Sequence, residues 1–153
     1  MMAAELLPLS VGIGLAVSLL MTELFGIATG GLIVPGYFAL SLTQPLHIVS
    51  TVAAALVTYV TVHSMASILI IYGRRRTALM ILVGYLIGGA ARWVTAHAAA
   101  GAPGFDVIGY VIPGLLALWL ERQGIVETLS SLLTASIIVR LVLVLVAGKE
   151  LLP

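Results

Sequence analysis

Hydrophobic residues run along this chain in long blocks, and the few polar residues between them mark where helices start and stop. Residues 6–22 form an uncharged run of 17, near the lower limit for crossing a bilayer as a helix. The residues ahead of it, Met1-Met2-Ala3-Ala4-Glu5, include no basic stretch. The run therefore reads as a retained first helix rather than a secretory signal, with Pro8 in its first turn, where a missing N–H costs little. Residues 24–73 then carry no charge over 50 positions, too many for one span of about 20 residues. Gly30-Gly31, Pro35-Gly36 and Thr43-Gln44-Pro45 divide that block, leaving 46–72 as a span of 27 residues with room for tilt. Gly73-Arg74-Arg75-Arg76 is the sharpest boundary in the chain. Beyond it, 77–97 predicts another span, 98–103 a small-residue loop, 107–120 a short apolar run interrupted by Pro113-Gly114, and 125–147 a last span.

The two short apolar runs share a pattern. Gly31-Leu32-Ile33-Val34-Pro35-Gly36 aligns with Gly109-Tyr110-Val111-Ile112-Pro113-Gly114 at a constant offset of 78 residues. Each copy leads into a polar turn containing a glutamine, Gln44 or Gln123, and then into a long helix. Proline removes an N–H and clashes with the carbonyl one turn back. The freed backbone groups must then face protein or water rather than lipid. Paired short segments of this kind in two halves of a chain point to a pathway or site built at a repeat interface. The alternative is a kink that only packs the bundle. The expectation is an all-α integral membrane protein, one polytopic domain over 1–153. It is built as two repeats, about 5–73 and 77–148, each a long helix, a short Pro-Gly-broken segment and a long helix. If the broken segments cross, there are six crossings and inverted halves; if they dip and return, there are four and the halves are parallel. Runs of 15 (28–42) and 14 (107–120) residues rise only about 22 Å as helix against a hydrocarbon core of about 30 Å, which favours four.

Composition supports this class and removes others. Of 153 residues 61% are hydrophobic and 8% charged, and mean hydropathy is +1.23; soluble domains carry about a quarter charged residues. Thirteen charged side chains cannot cover a globule in water, which excludes a soluble enzyme, a disordered tail and a nucleic-acid-binding domain. The net charge of +1 supplies no bulk field for polyanions, so electrostatics must be local. No cysteine is present, which removes disulfides and thiolate chemistry. His47, His63 and His97 have no ligand spacing, and no phosphate loop or GxSxG elbow occurs. The residues themselves offer no catalytic machinery and no resident cofactor or metal.

The placement of the charges is more informative than their number. Arg74, Arg75 and Arg76 set a cytoplasmic turn by the positive-inside rule. They also suit a docking point for a cytosolic partner or an anionic substrate, since a guanidinium fork binds carboxylates bidentately. Arg92, Asp106, Glu121, Arg122, Glu127 and Arg140 put three positive and three negative charges in the second half. Charges within spans, Arg92, Asp106 and Arg140 above all, require pairing or water, and the alternative to structural pairing is a lining for an acidic polymer or substrate. Arg92 and Asp106 flank the uncharged stretch 93–105 and could close a helix–loop junction. Arg140 lies 13 residues past Glu127 and needs a partner on another element, with Glu23 or a neighbouring chain as candidates. Gly26-xxx-Gly30 and Gly84-xxx-Gly88 allow close helix approach, within one chain or between copies in a homo-oligomer.

Several spaced motifs together resemble a known family. They are Thr29-Gly30-Gly31-Leu32-Ile33-Val34-Pro35-Gly36-Tyr37, Gln44-Pro45, Leu56-Val57-Thr58-Tyr59-Val60, Ile71-Tyr72-Gly73-Arg74-Arg75, Ile108-Gly109-Tyr110-Val111-Ile112-Pro113-Gly114-Leu115 and Gln123-Gly124. Over roughly residues 5–140 the chain is similar to the membrane subunit of poly-γ-glutamate synthase, the PgsC/CapC type of capsule-biosynthesis protein. The resemblance implies a multi-pass subunit in the plasma membrane of a bacterium. It implies a cytosolic ATP-dependent amide ligase as partner, which would hold the ATP and divalent metal, and a mostly extracytoplasmic export subunit. Membrane lipid and an anionic polymer complete its implied surroundings; nucleic acid has no part. The family pattern falls on Glu23, Pro35, Gly36, Tyr37, Gln44, Tyr72, Gly73, Arg74, Arg75, Pro113, Gly114 and Gln123. No catalytic residue carries over to this chain, and the fit is weakest from Gly88 to Phe105. The expected role is to anchor or activate the ligase and help pass the polymer to or across the membrane. The rival expectation is a small stand-alone transporter or channel built from the repeats.

Overall fold

The computed structural model describes residues 2–98 and 111–148. They form six helices: α1 (Met2–Phe25), α2 (Val34–Ser41), α3 (Pro45–Ile68), α4 (Arg74–Ala98), α5 (Ile112–Gln123) and α6 (Ile125–Ala147). Four stretches are long and apolar enough to cross a membrane: Leu7–Phe25, Pro45–Ile68, Arg74–His97 and Ile125–Ala147. Their outward faces remain apolar, with Ile68 and Leu145 each 84% exposed. Hydrocarbon, not water, suits such a surface.

Helix ends follow local chemistry. Gly26 closes α1 at a φ of +66°, a conformation that costs glycine little, and its N–H donates to the Thr22 carbonyl at 2.9 Å. Gly73 turns at a φ of +65° and its carbonyl accepts from the N–H groups of Arg76 and Thr77. Pro45 starts α3. Pro35 and Pro113 stand in the first turns of α2 and α5 rather than in helix interiors, where proline is tolerated. Pro8, expected in a first turn, lies inside α1 because that helix already begins at Met2. Gly26 and Gly30 do not form a helix-packing motif: both have positive φ and lie past the end of α1.

The chain folds into two compact units, Met1–Thr43 with Gln123–Pro153, and Gln44–Arg122. Each draws helices from both sequence halves. In the first unit α1, α2 and α6 pack together. α1 and α2 cross at Gly14 and Gly36. A Cβ on Gly14 would lie 2.7 Å from the Gly36 nitrogen, and one on Gly36 would lie 2.8 Å from the Ser10 carbonyl oxygen. Ser10 Oγ donates to the Gly36 carbonyl at 2.7 Å. Ala39, Val139 and Leu143 form the core there, flanked by Ile13, Val17 and Leu40.

In the second unit α3 and α4 run antiparallel. Val62 packs with Met80 at one end, and Val49 and Ser50 share an apolar groove with Val94 and Thr95 at the other. α5 crosses α4 where Gly84 meets Gly114, and a Cβ on Gly114 would lie 2.8 Å from the Ile81 Cα. Val62, Met80 and Ala117 form this unit's core.

Candidate functional site

Arg74, Arg75, Arg76, Glu121 and Arg122 of the second unit lie where α4 begins and α5 ends. Arg76 and Glu121 form an ion pair, with side chains 26% and 19% exposed. Glu121 is the residue that sequence reasoning missed as a partner; the two are distant in sequence, and only the fold brings them together. The pair fixes the start of α4 against the end of α5 and removes Arg76 from the free arginine cluster. Arg74 and Arg75 are exposed. Among the described residues no carboxylate lies within salt-bridge distance of Arg74, Arg75 or Arg122. Arg74 and Arg75, exposed at a helix N-terminus, oppose the helix dipole by about 0.3–1 kcal/mol each. Helix stability therefore does not explain them.

Beside the ion pair lies an open cleft of about 540 Å³, lined by Gly73, Arg74, Thr77, Ala78, Ile81 and Arg122. In the sequence Arg122 is one of six second-half charges, read as paired or as lining for an acidic polymer; it adjoins Glu121 and so shares this end of α5. Its guanidinium carbon lies 5.6 Å from the centroid of the Trp119 ring, within cation–π range. With Arg76 neutralised by Glu121, two guanidinium groups from different helices flank the cleft without a carboxylate partner among the described residues.

The first unit holds a polar network around the non-helical stretch 26–33. Ala28 N–H donates to Gln123 Oε1 at 3.1 Å, and Gln123 Nε2 donates back to the Ala28 carbonyl. Ser131 Oγ donates to the same carbonyl at 3.0 Å. Ser18 and Thr29, both buried, share a hydrogen bond of 2.6 Å, and each hydroxyl also reaches the Gly31 carbonyl. Irregular backbone among lipid-facing helices is thus satisfied by protein groups.

The other sequence-chosen residues separate. Pro35, Gly36, Pro113 and Gly114 are buried at the two helix crossings, and Tyr37 is half-buried on α2. Gln44 precedes α3 with its side chain exposed and no cap hydrogen bond, unlike Gln123. Glu23 and Tyr72 are exposed. Arg140 donates from Nη1 to the Ala39 carbonyl at 3.3 Å, near the C-terminal end of α2, where a cation complements the dipole. Arg92 is half-buried near the end of α4. Asp106 lies outside the described residues, as do Gly109 and Tyr110 of the second motif.

Comparison with known proteins places this geometry in a family. Residues 13–129 match the family described as Capsule biosynthesis CapC. The chain is 34% identical over 125 residues to the PGA biosynthesis protein CapC of Bacillus subtilis (strain 168), covering 81% of this chain and 84% of the relative. It is 32% identical over the same length to the Capsule biosynthesis protein CapC of Bacillus anthracis, with the same coverage. No solved structure matches. The chain belongs to the CapC family of capsule-biosynthesis proteins.

Proposed function

We propose that this chain is the multi-pass membrane subunit of a poly-γ-glutamate capsule synthase. In this role the arginine face of Arg74, Arg75 and Arg122 meets a cytosolic ATP-dependent amide ligase and its polyanionic product. The observation that carries the reading is the concentration of exposed arginine, without carboxylate partners among the described residues, at one end of the second unit, in a chain of the CapC family. A product with one free carboxylate per residue would be drawn to such a face. The paired helix crossings at Gly14–Gly36 and Gly84–Gly114 support the repeat reading, with the short helices framing a route for the polymer.

The same reading favours six crossings with inverted halves over four. Thr29 meets Ser18, and Gly36 meets Ser10 and Gly14, so the stretch after α1 retraces α1 toward its start. Along α6, Ala28 meets Ser131 while Ala39 meets Arg140, an advance of about 13 Å at 1.5 Å per residue. In the second unit Glu121 sits at the start of α4, whose 25 residues rise about 37 Å. α5 therefore ends beside the start of α4. In the run 28–42, non-helical backbone ahead of α2 makes good what that run lacks in helical rise. Arginines 74, 75, 76 and 122 then fall in cytoplasmic turns, as the positive-inside rule requires.

Co-purification from the native membrane tests the docking role. Joint replacement of Arg74 and Arg75 by alanine is expected to reduce recovery of the ligase about tenfold, at the roughly 1.4 kcal/mol that one well-placed charge contact represents. Unchanged recovery would contradict docking at this turn.

A further inference from the structure

The exposed arginines are not equivalent. Arg74 and Arg122 come from different helices and both line the cleft of about 540 Å³, whereas Arg75 does not. This volume falls within the roughly 300–1,000 Å³ of small-molecule sites. The Arg76–Glu121 pair, at the same junction of α4 and α5, holds the two flanking guanidinium groups in register. Between them the wall changes character: Thr77 offers a hydroxyl, and Ala78 and Ile81 offer apolar carbon. Guanidinium forks suit carboxylates, the hydroxyl can donate to an oxyanion, and the apolar wall suits a short methylene segment. A lipid phosphate at the interface could be met by any exposed arginine and has no need of two guanidinium groups flanking one open cleft.

Resting on the function proposed above, we infer that the Arg74–Arg122 cleft is a binding subsite for consecutive carboxylates of a γ-linked glutamate chain. Arg74 and Arg122 each hold a carboxylate, Thr77 adds a hydrogen bond, and Ala78 and Ile81 contact the methylenes between. Arg76 is a positioning residue that acts through Glu121 and does not touch the polymer.

The test is binding of a labelled γ-linked glutamate hexamer to the full chain in phosphatidylcholine nanodiscs, repeated with phosphatidylglycerol included. Arg74→Ala and Arg122→Ala are expected to weaken binding about tenfold or more each, the scale of a charge-assisted hydrogen bond. Arg122→Lys, which keeps the charge but not the fork, should fall between Arg122→Ala and the unaltered chain. Both arginines are exposed, so their replacement leaves the core intact, and size-exclusion profiles confirm folding. Equal affinity in Arg122→Ala and the unaltered chain overturns the subsite. Abolition of hexamer binding by phosphatidylglycerol also overturns it and assigns the cleft to lipid headgroups. Absence of hexamer binding by the unaltered chain overturns it too. The broader function falls only if polymer output survives loss of the gene.

Discussion

The carboxamide of Gln123 brackets the backbone of Ala28, 95 residues away in sequence, accepting from its N–H and donating to its carbonyl. This two-point clasp holds the non-helical stretch after α1 beside the start of α6. Ser131 also bonds the Ala28 carbonyl, so loss of the clasp orphans chiefly the Ala28 N–H. Gln123→Ala should cost about 2 kcal/mol of stability. Gln123→Glu should cost more, because a carboxylate oxygen in place of the Nε2 would face the Ala28 carbonyl oxygen and repel it. Thermal unfolding of the two variants in detergent measures the order.

Backbone contact at the glycine crossings leaves no room for a methyl group. Gly14→Ala and Gly114→Ala place a Cβ under 3 Å from backbone atoms of the neighbouring helix. Each should destabilise by about 1–3 kcal/mol or more, since backbone must move. Gly12 has nothing within 4 Å of an added Cβ. Gly12→Ala should leave stability level or raise it by up to about 1 kcal/mol through helix propensity. The same unfolding assay compares all three.

Arg76 and Glu121 are partly shielded, so their coupling should fall between the roughly 1 kcal/mol of exposed pairs and the 3–5 kcal/mol of breaking a buried one. Arg76→Ala and Glu121→Ala should each destabilise, and the double variant should cost less than their sum. The charge-swapped pair Arg76→Glu with Glu121→Arg should recover part of the loss. A double-mutant cycle on unfolding midpoints reads this directly.

Crossing number is open to cysteine labelling, because the natural chain has no cysteine. Thr22 and Thr43 are both exposed and bracket the α1–α2 segment. With six crossings, single cysteines at these positions react with a membrane-impermeant thiol reagent from opposite faces. Labelling from the same face would show a re-entrant segment.

The long helices were legible in sequence because lipid-facing surface leaves uninterrupted apolar runs; 125–147 matches α6 at both ends. The short helices were legible only as Pro-Gly motifs. α2 occupies eight residues of the run 28–42, since Gly30 and Gly31 take positive φ and hold the first part non-helical. Hydrophobicity does not register that difference. Arg74 and Arg75 stood out by local clustering, while Arg122 was only one of six scattered second-half charges, because its relation to them depends on Glu121 folding against Arg76. Gln123 stood out by its place in the repeat, yet its bond to Ala28 rests on α6 packing beside the first helix pair, a long-range contact with no local signal. Gly14 went unmarked since its neighbour, Gly36, is on another helix rather than four residues away.

The most direct test of the central claim is the amount of capsular poly-γ-glutamate made by a producing strain with this gene deleted, alongside the same strain complemented in trans. Loss of polymer in the deletion and recovery on complementation are predicted, with Arg74→Ala/Arg75→Ala restoring less than the natural chain. Unchanged polymer in the deletion strain would contradict the account.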